Sequence, residues 1–390
     1  MFSNLSLSAK DQPVIYPISD SKLPFSEYIN RTRAIIEERR VDLADASDKA
    51  DIIINANTPY ELYPAESKPQ QARIKYGVLL IHGLLDCPFS LRDIGQKLQE
   101  NGMLCRSILL PGHGTRPADL IQVSYHAWIQ AMRYGIDSMR DEVDHIILVG
   151  YSTGATLSVY QALQDSHIAG IILLSPAIKI KAPVDIAVAW HKMTHWFAKT
   201  NSPWMYQEAE SDYAKYQSIT FNAVSQVSQL TTVIRELNAE YPLSCPIYMA
   251  LSREDETISS HQAIDFFSNQ HNEDSRLLLY TSVDHRYPDT RITTRQCNDP
   301  AKNIQHCSHV SIPFAPTNRH YGANGDYLYA SHADEKNIIY GAYNRIEQQF
   351  FDLLYTAKII GCRRRELTYN PDFDFMAQDI SEFISRLGSN

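Results

Sequence analysis

The sequence contains few cysteines, and their spacing matches no common metal or redox motif. Six cysteines are spread over 390 residues, and no pair has the C-x-x-C spacing. This excludes a zinc ribbon, a thioredoxin-like dithiol and a small disulfide-rich scaffold. Only Cys297 and Cys307 are close together, on either side of a polar stretch. We expect two free thiols there in a reducing cytosol, and a disulfide that closes a loop is the alternative.

Long apolar runs and an excess of positive charge are also absent. The longest apolar runs, such as Ile168 to Leu174, have the length of a strand and fall short of the ~18 residues of a membrane-spanning helix. The formal charge of −9 makes nucleic acid an unexpected partner. Residues 1–12 lack the basic start and apolar centre of a secretory signal, so we expect a cytoplasmic protein without a transmembrane segment. Export by a route without such a signal is the alternative.

The composition and length predict a large core with additions. With 44% hydrophobic residues the chain can bury a sizeable core, and 390 residues exceed the usual size of a single domain. Residues 1–70 are predicted to form an N-terminal extension. Within it, apolar side chains recur at helical spacing from Pro24 to Val41, which predicts an amphipathic helix lying on the main body.

Beyond residue 70, short apolar runs alternate with helical patterns. Six runs predict strands: Tyr76–Ile81, Met103–Leu110, His145–Val149, Ala169–Leu174, Pro246–Leu251 and Arg276–Tyr280. Several are apolar on both faces, as in a parallel sheet that is covered by helices on each side. The predicted fold class is therefore doubly wound α/β. The last helix is predicted to begin at Asn370-Pro371-Asp372 and to turn Phe375 and Phe383 inward.

Two connections are longer than a usual crossover. Residues 179–245 are predicted to form an inserted cap. The α/β core is then residues 71–178 and 246–390. The cap contains an apolar helical pattern from Val184 to Phe197, which would line an acyl-chain tunnel, dip into a lipid interface or fill the core of the cap. The polar stretch from Asp284 to His306 is predicted to be a loop before a further strand at Val310–Phe314.

The strongest chemical signal is the segment Gly150-Tyr151-Ser152-Thr153-Gly154. It directly follows the strand predicted at His145–Val149 and directly precedes a helical pattern. A G-x-S-x-G segment between a strand and a helix predicts a nucleophile elbow, in which the two glycines give room for the sharp turn. Ser152 would lie at the N-terminus of a helix, where free N–H groups and the helix dipole favour negative charge. We therefore expect Ser152 to be a nucleophile.

A serine nucleophile needs backbone donors that hold the oxyanion. One is expected from Thr153, the residue after the nucleophile. The other is expected from Leu84, because His82-Gly83-Leu84-Leu85 follows the strand predicted at Tyr76–Ile81. The alternative is that His82-Gly83 is only a turn.

Three segments, in this order, resemble the α/β-hydrolase superfamily: Leu80-Ile81-His82-Gly83-Leu84-Leu85 with Cys87-Pro88-Phe89-Ser90-Leu91, then Leu110-Pro111-Gly112-His113-Gly114, then Gly150-Tyr151-Ser152-Thr153-Gly154. Within it, the sequence is most similar to the group of monoacylglycerol lipases, lysophospholipases and carboxylesterases. The resemblance extends from about Thr58 to the C-terminus. It implies an α/β-hydrolase fold with a mostly parallel sheet, a lid insertion and ester hydrolysis by a serine. It gives His113 a structural role near the pocket.

In this fold, the acid and the histidine of the triad follow the serine along the chain. The resemblance assigns the acid to Asp255, after the strand predicted at Pro246–Leu251. The neighbouring Glu254 and Glu256 are open alternatives. The role of the acid would be to orient the imidazole and to stabilise the imidazolium.

Two histidines are candidates for the base. His285 follows the strand predicted at Arg276–Tyr280, among polar residues that are typical of a solvated turn. His309 opens an apolar stretch, and the segment from Ser308 to Gly322 resembles a Ser-His segment that ends in Tyr-Gly in bacterial relatives. We expect His309 to be the base, with His285 as the alternative.

Metal and cofactor sites are not expected. His191 and His195 are four residues apart on a predicted helix, which is a competent spacing for metal ligands, but no third ligand accompanies them in the sequence. The run of Arg363, Arg364 and Arg365 is expected at a solvated helix end, and contact with an anionic lipid is the alternative.

These patterns together predict a serine hydrolase that cleaves lipid-like or short acyl esters, such as monoacylglycerols or lysophospholipids, through Ser152, His309 and Asp255. Transient membrane contact through the cap is an option. An amidase or aminopeptidase on the same fold is one alternative, and candidates for holding its substrate amine are Glu208, Glu210 and Asp212. A catalytically silent α/β-hydrolase that binds a ligand or a partner is the other.

Overall fold

The structure is a computed structural model that describes residues 14, 16–17, 22–40, 47–65, 73–179, 202–327 and 337–387. Its strands are β1 Tyr60–Leu62, β2 Ile74–Ile81, β3 Leu104–Ile108, β4 Val143–Tyr151, β5 Ile168–Leu174, β6 Trp204–Tyr206, β7 Ile219–Thr220, β8 Ile247–Ser252, β9 Arg276–Thr281, β10 Ile292–Gln296, β11 Ile338–Gly341 and β12 Arg363–Glu366. Its α-helices are α1 Phe25–Arg39, α2 Ala50–Asn57, α3 Arg92–Glu100, α4 Tyr125–Asp137, α5 Thr153–Gln164, α6 Phe221–Glu240, α7 Ser260–Ser268, α8 Arg345–Thr356 and α9 Phe373–Arg386.

Eight of these strands form one sheet in the order β1-β3-β2-β4-β5-β8-β9-β10. β1 pairs antiparallel with β3, and the other pairings within this sheet are parallel. Side chains of β2 alternate between two cores. Val78 and Leu80 pack with α3 and α9 on one face, while Leu79 and Ile81 pack with α4 and α5 on the other. The predicted parallel sheet with helices on both faces is confirmed.

All six strands predicted from apolar runs are present, with ends within two residues of the prediction. The further strand predicted at Val310–Phe314 is wrong, because this segment forms turns. The Phe314 N–H donates to the Ser311 carbonyl at 3.2 Å, and the Ser311 N–H donates to Ser308 Oγ at 3.1 Å. Such local bonds compete with strand pairing, and Pro313 has no N–H to donate. The sheet gains β10 instead, inside the predicted loop of residues 284–306.

The predicted N-terminal helix is present as α1 and lies on the main body. Its buried residues are Phe25, Tyr28, Thr32 and Ile36. The Tyr28 hydroxyl accepts a hydrogen bond at 3.0 Å from the N–H of Leu109, directly after β3. β1 belongs to the central sheet although it lies within residues 1–70, so the sheet begins inside the predicted extension. The division into domains otherwise stays a prediction.

The described part of the predicted cap, residues 202–245, contains the β6–β7 hairpin and α6. The Thr220 hydroxyl caps α6 by accepting from the N–H of Ala223. α6 buries Val227, Leu230 and Ile234 in the core that also contains α5. The apolar pattern from Val184 to Phe197, with His191 and His195, lies outside the described residues. Its contact with substrate or lipid stays a prediction.

The arginine run lies in a strand and not at a solvated helix end. Arg363 to Arg365 form most of β12, which pairs in parallel with β11. Arg365 is buried and forms an ion pair at 2.9 Å with Asp352 of α8. Asp352 compensates the charge of Arg365, the buried member of the run, while Arg363 and Arg364 stay partly exposed.

The last helix begins two residues later than predicted. α9 starts at Phe373, which is buried together with Met376 and Phe383. Phe375 is 40% exposed, and the guanidinium of Arg295 lies 3.8 Å from the centre of its ring. The prediction that Phe375 points inward is wrong, because it lies five residues before Ile380 and nine before Ile384, off the three- and four-residue spacing of the buried face.

Candidate active site

Ser152 lies in the sharp turn between β4 and α5, with φ 53° and ψ −112°. A non-glycine residue with positive φ is strained, and such strain is typical of nucleophile elbows. A Cβ at Gly150 would lie 2.3 Å from the Gly154 carbonyl oxygen, and a Cβ at Gly154 would lie 1.9 Å from the Ile81 carbonyl oxygen. Glycine is therefore required at both positions by the close approach of α5 to β2 and β4.

His309 lies between Ser152 and Asp255. Its Nε2 is 3.0 Å from Ser152 Oγ, and its Nδ1 is 2.8 Å from Asp255 Oδ2. The other Asp255 oxygen accepts hydrogen bonds at 2.8 Å from the N–H groups of Thr257 and Ile258. An Nδ1–H that donates to Asp255 leaves the Nε2 lone pair facing the serine hydroxyl, as a general base requires.

The loop that carries His309 is fixed from several sides. The His309 carbonyl accepts hydrogen bonds from Ser175 Oγ at 3.3 Å and from the Tyr151 hydroxyl at 3.5 Å. A disulfide joins Cys297 to Cys307, so the expectation of free thiols at this pair is wrong. These contacts hold the imidazole over the ends of β4 and β5.

The structure separates the two histidine candidates. His285 is exposed in the connection between β9 and β10, and its ring contacts Tyr287. His309 is 4% exposed and Asp255 is 1% exposed. Of the two histidines, His309 is the one hydrogen-bonded to Ser152. Of the acidic residues 254 to 256, Asp255 is the one bonded to the imidazole ring of His309.

The loop that follows β2 lies against the serine. A Cβ at Gly83 would be 3.2 Å from Ser152 Cβ, so Leu84 follows a residue in contact with the nucleophile. Thr153 is the first residue of α5, where N–H groups have no partner within the helix. Thr153 thus follows Ser152 directly and Leu84 follows the glycine that packs against it, and their role as oxyanion donors stays a prediction.

Two buried histidines brace this loop. His113 Nε2 accepts from the N–H of Leu85 at 3.1 Å, and His82 Nε2 accepts from the N–H of Leu110 at 3.0 Å. Burial lowers the pKa of His113 to about 4 and the pKa of His82 well below its usual value. Both rings are therefore neutral near pH 7 and can accept these bonds. His113 has the structural position that the resemblance implies.

A cavity of about 460 Å³ lies beside the triad. Residues that precede or follow each triad member in sequence line it: Tyr151, Glu256 and Val310. Carboxyl groups from separate parts of the chain also line it: Asp86, Asp212 and Glu366. Burial raises the pKa of Asp86 to about 7. The cavity thus has both acidic and basic side chains in its wall, the latter being Lys215 and Arg345, and it adjoins the chain neighbours of the triad.

The sequence gives no sign of a buried cluster around Asp212. Its carboxylate lies 3.0 Å from His320 Nε2 and accepts a hydrogen bond at 2.5 Å from the Tyr321 hydroxyl. Asp326 is bonded to the other nitrogen of His320. Burial alone would lower the pKa of His320, but Asp212 and Asp326 outweigh it and raise that pKa. Because more than one hundred residues separate Asp212 from His320, no local pattern could have linked them.

The other acidic residues considered for an amine site have local partners. Glu210 accepts from the N–H groups of Gln217 and Ser218, and Glu208 pairs with Arg345. Within the part of the chain that the structure describes, no group of three histidine, cysteine or acidic side chains is placed to hold a metal ion. Among the described helices, none is long and apolar enough to span a membrane.

The sheet order, the strained serine at the end of β4 and the helix that follows it define an α/β-hydrolase. Within this class the chain belongs to the family described as "Serine aminopeptidase, S33" (Hydrolase_4), whose model matches residues 72–288. The match includes Ser152 and Asp255, and His309 lies beyond it.

Two curated relatives and one solved structure illustrate the likeness. The chain is 31% identical over 106 residues to the thermostable monoacylglycerol lipase of Bacillus sp. (strain H-257), which is 27% of this chain and 42% of that lipase. It is 22% identical over 211 residues to a carboxylesterase of Bacillus subtilis (strain 168), or 53% of this chain and 83% of that enzyme. The structure of Paleococcus ferrophilus monoacylglycerol lipase has 15% identity and a TM-score of 0.47, with 57% of this chain and 88% of that chain covered.

Proposed function

We propose that the protein hydrolyses carboxylic esters through an acyl-enzyme on Ser152. The observation that carries this proposal is the hydrogen-bonded series Ser152, His309 and Asp255, in which a nucleophile, a base and an orienting acid are in contact. The names of the relatives, a monoacylglycerol lipase and a carboxylesterase, support the same reaction class.

In the first half of the reaction, Ser152 Oγ attacks the ester carbonyl carbon while His309 Nε2 takes its proton. The N–H groups of Leu84 and Thr153 hold the oxyanion that forms. The intermediate collapses when the C–O bond to the alcohol breaks, and His309 returns the proton to the departing alkoxide. The alcohol leaves and an acyl-serine ester remains.

In the second half, water attacks the acyl-serine carbonyl and gives its proton to His309. Collapse of the second intermediate releases the carboxylic acid, and His309 returns the proton to Ser152. Asp255 stabilises the imidazolium in both halves and keeps the ring in the required tautomer. Water is the only co-substrate that this scheme needs.

The proposed substrate is an ester with an apolar acyl chain, such as a monoacylglycerol, a lysophospholipid or a short synthetic ester. The apolar pattern from Val184 to Phe197 supports this class as a sequence feature.

Two features bear on the cellular location of the protein, and they point in different directions. The disulfide between Cys297 and Cys307 favours an oxidising compartment, so the cytoplasmic location inferred from the N-terminal sequence competes with export.

An amidase or aminopeptidase is the second candidate. Asp86, Asp212 and Glu366 on the cavity wall favour it, because their oxygens can accept hydrogen bonds from a substrate amine, but Lys215 and Arg345 line the same cavity and oppose a cationic amine. Asp212 is already bonded to His320 and Tyr321, which weakens this reading. A panel of nitrophenyl acyl esters set against aminoacyl nitroanilides decides between them by the ratio of kcat/KM values.

The mechanism is tested by replacing Ser152 with alanine. Wild type is expected to release nitrophenol from acyl esters, and Ser152→Ala is expected to lose this activity. Ser166→Ala is the matched control, because Ser166 is exposed in the turn after α5. Equal rates for wild type and Ser152→Ala would reject the acyl-enzyme on Ser152. Wild type that is inert towards esters and towards a covalent serine probe would favour the silent hydrolase instead.

A further inference from the structure

The carboxyl group of Glu256 holds the backbone of the candidate base. Its two oxygens lie 3.1 and 3.2 Å from the backbone nitrogen of His309, whose N–H donates to them. Glu256 directly follows Asp255, which is hydrogen-bonded to the His309 ring. Two consecutive acidic residues therefore hold the same histidine, one through its ring and the other through its main chain.

A second carboxyl group, that of Glu366, holds Glu256 in turn. The Glu366 carboxyl is close enough to raise the pKa of Glu256 by its charge and by hydrogen bonding, and both side chains line the cavity beside the triad. Glu366 is the last residue of β12, and the carbonyl of the next residue, Leu367, accepts a hydrogen bond at 2.5 Å from Ser308 Oγ. β12 thus supports the histidine loop at two adjacent points.

Two carboxyl groups that share a hydrogen bond have one proton between them. Burial raises the pKa of Glu256 well above its usual range, and the negative charges of Asp255 and Glu366 raise it further. The other ionisable groups around it are the Tyr151 hydroxyl and the His309 ring, and from the same cavity wall Asp86, Asp212, Lys215 and Arg345. Glu256 is therefore the carboxyl group of this pair whose protonated form is favoured by its surroundings, and it accepts the N–H of His309.

We propose that Glu256 is a positioning residue for the candidate base, whose side chain connects the His309 backbone to the cavity wall that carries Glu366. This inference rests on the proposed function, because it concerns how His309 is placed against Ser152. The neutral acid keeps the bond to His309 without a second negative charge next to Asp255. An ionised Glu256 would repel Glu366 and loosen the loop, so kcat would fall while KM changed little.

The test compares Glu256→Gln with Glu256→Ala on a soluble acyl ester. Glutamine is neutral and can both donate and accept, so Glu256→Gln is expected to keep kcat within about twofold of wild type. Alanine removes both hydrogen bonds, and kcat is expected to fall about 10- to 100-fold at nearly constant KM, since a shift of ~1 Å in a catalytic group can cost about a hundredfold.

Glu254→Gln is the matched control. Glu254 lies on the other side of Asp255, and its carboxylate accepts hydrogen bonds from Ser282 and not from the histidine loop. Its kcat and KM are expected to equal those of wild type. A loss of kcat in Glu254→Gln equal to that in Glu256→Ala would contradict a specific role for Glu256.

A pH series separates positioning from a merely structural role. Wild-type kcat is expected to fall as pH rises through the raised pKa of Glu256, and this fall is expected to be absent from Glu256→Gln. The free energy of unfolding gives a readout that needs no activity. A carboxyl whose pKa is raised by folding stabilises the fold below its unfolded pKa of ~4.3, and this contribution is lost as pH rises through the folded pKa. Glu256→Gln is expected to lack this decline.

Two kinetic results would overturn the inference: Glu256→Gln loses as much kcat as Glu256→Ala, or both variants keep wild-type kcat. It is also overturned if the free energy of unfolding depends on pH in the same way in wild type and Glu256→Gln. If Glu256→Ala does not fold, the pH series on wild type and Glu256→Gln decides alone. Failure of the proposed function looks different, because wild type then has no ester turnover while the unfolding series still tests the proton on Glu256.

Discussion

Cys307, which is bonded to Cys297, lies two residues before His309. Its carbonyl accepts a hydrogen bond at 2.6 Å from Ser252, the last residue of β8. Asp255 follows three residues after Ser252. The covalent bond and the hydrogen bond together hold the segment that carries the base next to the segment that carries the acid.

Removal of this disulfide is expected to destabilise the protein by about 2–4 kcal/mol, because the unfolded chain gains the freedom that the closed loop denies it. The measurement is the free energy of unfolding in urea for the double variant Cys297→Ser, Cys307→Ser. Cys362→Ser is the control, since Cys362 is a free thiol that is only partly buried. An unfolding curve of the double variant that overlays wild type would contradict this prediction.

The bonds between His320 and its two carboxylates are expected to make stability depend on pH. Because the pKa of His320 is raised in the folded state, its contribution is complete below the unfolded pKa of ~6.5 and is lost as pH rises through the folded pKa. Urea unfolding of wild type from pH 6 upward is expected to show this loss, and His320→Gln is expected to show a flatter profile. His285→Gln, at an exposed ring, serves as the control and is expected to follow wild type.

Asp212 is expected to act in the opposite pH range. Burial alone would raise the pKa of its carboxyl, but the bonds to His320 and Tyr321 outweigh burial and lower that pKa. Its contribution is present above the unfolded pKa of ~3.9 and is lost as pH falls through the folded pKa. Acid unfolding of Asp212→Asn is therefore expected to show a weaker pH dependence than wild type. If the free energy of unfolding of wild type and Asp212→Asn changed equally with falling pH, the bonds from His320 and Tyr321 would not stabilise the ionised Asp212 carboxylate.

Gly154→Ala is expected to disturb the elbow. The added Cβ would lie 1.9 Å from the Ile81 carbonyl oxygen, so α5 must move away from β2. A loss of about 1–3 kcal/mol is typical of such overpacking, and we expect Ser152 to react more slowly with a serine probe. Gly361→Ala is the matched control, because no atom beyond its own chain neighbours lies within 4 Å of a Cβ there. Equal stability of both variants would contradict the close packing at the elbow.

The two histidine variants are expected to differ in turnover. His309→Gln removes the group between Ser152 and Asp255, and loss of a triad member lowers kcat by about 10⁴-fold or more. His285→Gln changes only an exposed ring and is expected to keep wild-type kcat. Ester turnover of the two purified variants at pH 7 measures the difference. A loss in His285→Gln that matched the loss in His309→Gln would exclude the assignment of the base.

Local patterns predicted the central sheet and the elbow well. The strand at β4, the two glycines around Ser152 and the helix α5 depend on neighbours in sequence, so periodicity and turn chemistry were sufficient to place them. The same reasoning failed at Val310–Phe314, where apolar residues in a turn have the composition of a strand. Serine side chains and a proline determine the backbone there, and composition alone does not reveal this.

Contacts between distant segments could not be predicted in this way. Glu256 was recognisable only as one member of an acidic run, and its partner Glu366 is more than one hundred residues away. The pairing of Asp212 with His320 is equally remote in sequence. Each contact depends on how insertions fold back on the sheet, and the burial that shifts a pKa becomes visible only in three dimensions.

The central claim is that His309 activates Ser152 for attack on an ester carbonyl. The most direct measurement is the rate at which a fluorophosphonate probe labels the protein, with the adduct mapped by mass spectrometry in wild type, His309→Gln and His285→Gln. We predict a single adduct on Ser152, formed at equal rates in wild type and His285→Gln and at least about 10³-fold more slowly in His309→Gln. An adduct on another residue, or equally fast labelling of Ser152 in His309→Gln, would contradict the claim.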